Sequence, residues 1–226
     1  MKYIPIKKLQ EKVDEKVQVR GWLHHVRSQG RLIFLVIRDP TGYVQAVAKP
    51  KTIGDTTFKV VEKLTRETAI IAEGVVREDK RAPYIGIELQ LTTLNPVISY
   101  ASPELEYEIR PDSGPQVLLD KRHLVLRGEQ ASDIMRFRDY ITRSFRDFFY
   151  SRDFVEVTPS TIVQTQVEGG STLFAFKYFE QEAFLTQSSQ LYLETLLASL
   201  GNVFCILPSF RAEKSRTRRH LTKYTH

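Results

Sequence analysis

Five short runs in the first hundred residues fix what this chain can fold into: 17–22, 32–38, 43–48, 68–76 and 84–91 are rich in Val, Ile, Phe and Tyr and read as strands. In the last run Ile85, Ile87, Leu89 and Leu91 fall on one face while Glu88 and Gln90 fall on the other, the two-residue period of a half-buried strand. Asp39-Pro40-Thr41-Gly42 has the composition of a tight turn and joins the second and third runs as a hairpin. Residues 55–66 are polar with spaced Phe58, Val61 and Leu64, a short helix between the third and fourth strands. Five strands within about 80 residues predict a small closed barrel.

A five-stranded barrel with a helix between strands three and four is the oligonucleotide/oligosaccharide-binding (OB) arrangement. Such barrels bind single-stranded nucleic acid by stacking bases on aromatic rings beside basic side chains. Phe34 shares its parity with Leu32, Val36 and Arg38, so the alternation does not require it in the core. Arg27, in the Gly-containing loop just before that strand, and Gln45, on the neighbouring hairpin strand, flank it. Phe34 would stack a splayed base, Gln45 hydrogen-bond its edge and Arg27 hold phosphate or base. Taken singly, each residue also suits a core or solvated position.

Residues 99–125, with prolines, Ser/Gly and acids and no periodicity over most of their length, read as a linker between a barrel domain at 1–98 and a second domain at 126–226. In the second domain Ile134, Phe137, Ile141, Phe145 and Phe148 recur at helical spacing, predicting an amphipathic helix of about twenty residues that opens near Ser132. A strand from Phe154 ends at Pro159, another covers 183–186, Ser188 caps a helix running to about Leu200, and a buried strand covers 203–207.

Basicity is local. Of the net charge of +6, residues 211–226 supply six Lys/Arg against the single acid Glu213, which points to a polyanion near the C-terminus; a solvated basic tail has the same composition. The single cysteine, Cys205, excludes a disulfide framework and a Cys-based metal site and fits a reducing, cytoplasmic setting. No window approaches the ~20 apolar residues of a membrane-spanning helix, and the first residues lack a signal peptide's apolar region.

Separated signatures then converge: Gly-Trp (21–22) and Ile-Arg-Asp (37–39) in the barrel, Arg-His-Leu-Val-Leu-Arg (122–127), the helix and Pro159, Val-Glu-Gly-Gly-Ser-Thr-Leu-Phe (167–174), Gln-Ser-Ser-Gln-Leu-Tyr-Leu-Glu (187–194) and Phe-Arg-Ala-Glu (210–213). Over nearly its whole length the chain resembles the N-terminal half of class II aminoacyl-tRNA synthetases of the aspartyl/asparaginyl/lysyl subgroup. The resemblance implies an OB-fold barrel followed by the start of an antiparallel-sheet α/β catalytic domain. It also implies that Arg27, Phe34 and Gln45 contact the tRNA anticodon, and that the 132–159 segment builds a homodimer interface.

The family reaction joins an amino-acid carboxylate to the α-phosphate of ATP and then passes the acyl group to the tRNA terminal hydroxyl. Orientation and charge stabilisation carry it, with no protein nucleophile. By resemblance, Arg211 bridges carboxylate and phosphate, Glu213 lies near ATP and the substrate, His220 meets the outer phosphates and Tyr224 stacks on adenine. Glu168 and Ser171 sit in a loop that closes on the amino acid, and Gln187 and Gln190 belong to the amino-acid site. Aspartyl enzymes place a lysine where this chain has Leu193; an uncharged side chain cannot compensate a buried carboxylate, so asparagine is the implied substrate and tRNA(Asn) the implied RNA. Lys223 departs from the pattern, standing where a glutamate is usual. The chain also stops within the second motif, so ligands for Mg²⁺ are expected beyond residue 226 and little or no aminoacylation is expected of these residues alone. The alternatives are a non-catalytic tRNA-binding remnant and an aspartyl enzyme.

Overall fold

The computed structural model describes residues 3–96, 109–110, 112–164, 173–214, 217 and 219–226. They form two compact units, Met1–Leu126 and Arg127–His226.

The first unit is a closed five-stranded barrel in the order β1-β2-β3-β5-β4, built from β1 (Lys16–Gln29), β2 (Leu32–Asp39), β3 (Gly42–Ala48), β4 (Ala69–Glu78) and β5 (Ile87–Pro96). This is the predicted OB arrangement, with β3 and β5 pairing in parallel to close it. Alternation places Ile33, Leu35 and Ile37 of β2, Val44, Ala46 and Ala48 of β3 and Ile87, Leu89 and Leu91 of β5 in one buried cluster. Two short helices, α1 (Pro50–Ile53) and α2 (Asp55–Glu62), follow β3, and Val61 and Leu64 close one end of that core.

Strand β1 is longer than the sequence predicts. Its first half pairs with β4 and its second half with β2, with a register shift between Leu23 and His25. At the changeover stands Gly21, where a Cβ would lie 2.2 Å from the Arg38 carbonyl oxygen, so only glycine lets the two backbones approach. Arg27, expected in a loop, is therefore a strand residue paired with Phe34. The polar run His24-His25-Val26-Arg27-Ser28-Gln29 hides this half of the strand because one of its faces looks to solvent.

Strand β5 differs at its start. It begins at Ile87, and residues before it form a turn in which Tyr84 and Gly86 take left-handed backbone angles of +72° and +65°. The turn at 39–42 is as predicted and is held by Asp39, whose carboxylate accepts bonds from the Thr41 and Gly42 amides and, across the barrel end, from the Ile6 amide and the Tyr3 hydroxyl.

Two short helices, α3 (Pro115–Asp120) and α4 (Arg122–Val125), occupy part of the stretch expected to be irregular; a proline at the first helical position starts α3. In the second unit α5 (Glu129–Tyr150) opens three residues earlier than expected. Its sequence gives β6 (Val155–Glu156), paired in parallel with β10 (Val203–Phe204), and a three-stranded antiparallel sheet in the order β7 (Ile162–Val163), β9 (Gln181–Leu185), β8 (Ala175–Tyr178). Helix α6 (Gln190–Leu200) lies between β9 and β10, and β11 (Pro208–Phe210) pairs antiparallel with β12 (Lys223–Thr225). Ala183, Phe184, Phe204 and Leu207 are buried, whereas the apolar stripe of α5 is open, with Phe137 63% exposed.

Candidate functional site

Two places gather the residues that the sequence singles out. On the barrel, Phe34 of β2 projects from the outer face, half-buried, with the Arg27 guanidinium 5.1 Å from its ring centroid. The contact follows from register, because Arg27 and Phe34 are cross-strand partners. Gln45 pairs with Val36 and is thus a diagonal neighbour of Phe34 on the same face. An aromatic face, a cation and an amide lie together as expected. Glu88 of β5 joins them: it faces Gln45 across the parallel pair and accepts a bond from its Nε2 at 3.2 Å. The sequence shows Glu88 on the polar side of its strand but gives no sign of this neighbour, because the pairing of β3 with β5 is long-range.

In the second unit Arg211 is the first residue after β11 and Tyr224 the middle residue of β12. Antiparallel pairing brings the two side chains within reach: the Arg211 guanidinium lies 5.5 Å from the Tyr224 ring, and the Arg211 amide donates to the Thr222 carbonyl. A cavity of ≈ 650 Å³ opens here, lined by Arg211, Glu213, Lys214, Thr217, Arg219, His220, Leu221 and Tyr224. The His220 ring is held by Thr217, with Nδ1 to Oγ1 at 2.9 Å. Three Lys/Arg side chains and one imidazole against one carboxylate make this a cavity for an anion, and a half-buried aromatic ring offers a flat apolar face beside it.

The Tyr224 hydroxyl donates to the Gln187 carbonyl at 2.9 Å, and the Phe210 amide donates to the Thr186 carbonyl. These bonds tie the segment after β9 to the β11–β12 ribbon and set the Gln187 backbone against Tyr224, although Gln187 does not itself line the charged cavity. Gln190 is not brought there. It is the first residue of α6, its amide donates to Ser188 Oγ and its side chain to Glu194, and with Leu193 it lines a separate cavity beside Phe149 and Cys205. Burial pushes the Cys205 thiol up. Lys223 is exposed and lines neither cavity, since strand alternation turns it away from the face that Tyr224 presents. Glu168 and Ser171 lie outside the described residues. Among the described residues no three His, Cys, Asp or Glu side chains gather as a metal site. The charged cavity thus fits the phosphates of a nucleotide and does not by itself make a metal cage, Glu213 being its single carboxylate.

Comparison with known proteins finds matches over two stretches of the chain. Residues 17–97 match the OB-fold nucleic acid binding domain, and residues 114–226 match the tRNA synthetases class II (D, K and N). The cytoplasmic asparagine–tRNA ligase of Debaryomyces hansenii is 45% identical over 231 aligned positions, covering 100% of this chain and 41% of that protein. The asparagine–tRNA ligase of Thermoplasma acidophilum is 41% identical, with 95% of this chain and 49% of that protein covered. Asparaginyl-tRNA synthetase from Pyrococcus horikoshii, solved with asparaginyl-adenylate, superposes with a TM-score of 0.90 at 40% identity, covering 100% of this chain and 52% of that one. The chain therefore spans about half or less of the length of these relatives. With the family matching from residue 114 to residue 226 and an OB-fold barrel in front of it, the chain belongs to the class II tRNA synthetases of the D, K and N group.

Proposed function

We propose that the chain is the anticodon-binding barrel and the leading portion of the catalytic domain of an asparagine–tRNA ligase that acts in the cytoplasm. The observation that carries this reading is the charged cavity: Arg211, His220 and Tyr224 converge on it, and the Tyr224 hydroxyl donates to the Gln187 carbonyl. The names of the relatives, and the asparaginyl-adenylate in one of them, supply the substrate class.

In this reading ATP and asparagine are substrates. Arg211 pairs with both the attacking carboxylate and the α-phosphate, holding them in line and offsetting the charge that grows as the bond forms. Tyr224 stacks on adenine, His220 meets the outer phosphates, and Gln187, Glu168 and Ser171 hold the α-ammonium. Glu213 lies near ATP and the amino acid, and Mg²⁺, which would neutralise charge on the phosphates, would be held by residues beyond 226. Leu193 offers no charge to a substrate carboxylate, which favours the neutral amide of asparagine over aspartate. Phe34, Arg27 and Gln45 receive an anticodon base of tRNA(Asn), and the 132–159 segment pairs two copies.

The test is tRNA binding by the 226-residue chain. The chain binds tRNA(Asn) more tightly than tRNA(Asp), and Phe34→Ala weakens it about tenfold, the size of one lost base stack. Equal affinity for the two tRNAs, unaffected by Phe34→Ala, would overturn the reading. These residues alone are expected to give little or no aminoacylation, and asparagine-dependent ATP–pyrophosphate exchange at a full ligase rate would contradict that expectation.

A further inference from the structure

The charged cavity holds one polar side chain whose hydrogen-bonding character its residue type leaves open. Arginine and lysine carry hydrogens on every side-chain nitrogen, so Arg211, Lys214 and Arg219 can only donate to an anion. A neutral imidazole carries one hydrogen on either of its two nitrogens. His220 therefore attracts a phosphate oxygen in one tautomer and meets it with a lone pair in the other. The group bonded to its second nitrogen decides between them.

That group is Thr217. Its Oγ1 lies 2.9 Å from His220 Nδ1, and both residues line the cavity. The threonine is itself held. The Arg219 amide donates to Oγ1 at 3.3 Å, and the His220 amide donates to the Thr217 carbonyl at 3.4 Å, closing a four-residue turn. Threonine and imidazole are thus kept together by bonds within the turn. Because the Arg219 amide takes a lone pair of Oγ1, the single hydroxyl hydrogen is left for Nδ1, and the neutral ring carries its own hydrogen on Nε2. If the ring is charged, Nδ1–H donates to Oγ1 and Nε2 still carries a hydrogen. A hydroxyl, able to donate and to accept, makes Nε2 a donor in both states. An apolar side chain of the same shape would fix neither tautomer nor ring orientation.

We propose that Thr217 is a positioning residue of the nucleotide site, locking the His220 ring in the orientation and tautomer that present Nε2–H to the outer phosphates of ATP. This rests on the proposed reading of the cavity as an ATP site. Thr217 acts on the phosphates only through His220.

The experiment uses the 226-residue chain, isotopically labelled at its histidine ring nitrogens, with ATP and AMP as probes. In mildly alkaline buffer the long-range proton–nitrogen spectrum shows the His220 ring, identified by its loss in His220→Ala, with hydrogen on Nε2 alone. Thr217→Val lets the second tautomer appear and weakens ATP binding about fivefold, the effect of one hydrogen bond. AMP, which lacks the outer phosphates, binds this variant within twofold of its affinity for the unaltered chain. Thr217→Ser restores both the spectrum and the ATP affinity. In a His220→Ala background Thr217→Val has no further effect on ATP binding, because the two residues act as one unit. An ATP affinity within twofold in Thr217→Val, an equal loss for ATP and AMP, or losses that add fully with His220→Ala would each overturn the proposal. In those cases ATP still binds the unaltered chain, so the nucleotide reading of the cavity survives and only the role of Thr217 fails. Absence of ATP binding by the unaltered chain overturns both.

Discussion

Asp39 shows how much one side chain organises at the residue scale. It is 2% exposed, and its two oxygens serve the turn that makes the β2–β3 hairpin and the segment that crosses the barrel end. Asp39→Ala leaves several donors without this acceptor, the buried Ile6 amide among them, and should cost about 2 kcal/mol or more, read as a fall in the urea midpoint at unchanged slope. Gly21→Ala forces a Cβ onto the Arg38 carbonyl and should destabilise the barrel by at least as much, since the obstacle is backbone that cannot swing aside. Asp39 was legible in the sequence as a turn residue, because Asp-Pro-Thr-Gly has a local mechanism. The need for glycine at position 21 was not, because it arises from a strand whose Arg38 carbonyl meets it from seventeen positions away, and the long-range origin is shared by Glu88 beside Gln45.

Elements differ in how plainly the sequence announces them. Strands β2, β3 and β4 are apolar on the core face and hold no residue other than glycine at positive φ, so alternation locates them. The second half of β1 is polar on its outer face and carries the register shift, and β5 loses its expected first residues to a turn whose left-handed angles fall on a tyrosine. The register shift has a measurable outcome. His24 is held below its ordinary pKa of 6.5, first by burial and then by the nearby Arg66 and Arg38 charges. The unfolded chain therefore binds the proton more readily, so this contribution to stability is fully present above pH ~6.5 and is lost as pH falls through the lower folded value. Melting temperature should decline on acidification from pH 7.5 to 5, and His24→Phe should flatten that decline; an unchanged slope in the variant would show that other groups cause it. Of the candidate catalytic residues, Arg211 and Tyr224 meet because β11 and β12 pair, a relation that a motif implies but propensity does not, whereas Gln190 goes to another cavity because it starts α6.

For the whole molecule, the open stripe of α5 should be what governs association in solution. Ile134, Phe137, Tyr140, Ile141, Phe145 and Phe148 are all exposed, a larger contiguous apolar surface than a soluble monomer tolerates well. The chain should self-associate with rising concentration, and Phe137→Glu with Phe145→Glu should shift the sedimentation coefficient toward the monomer; a monomeric unaltered chain at high micromolar concentration would refute this. The barrel has a different global property, which follows from β1 serving two partners. Hairpin contacts along β1–β2–β3 join near neighbours, but closing the cylinder takes two long-range pairings, β3 with β5 and β1 with β4, the latter joining Val19 to Ala72, roughly fifty residues apart, and that ring closure costs chain entropy before it returns any contact. The speed of acquiring the native state should therefore depend on these long-range seams, of which the β1–β4 pair is one. Trp22, the sole tryptophan, pairs there with Ala69 on one side and Arg38 on the other, so its emission in a stopped-flow jump times the closing of the cylinder itself.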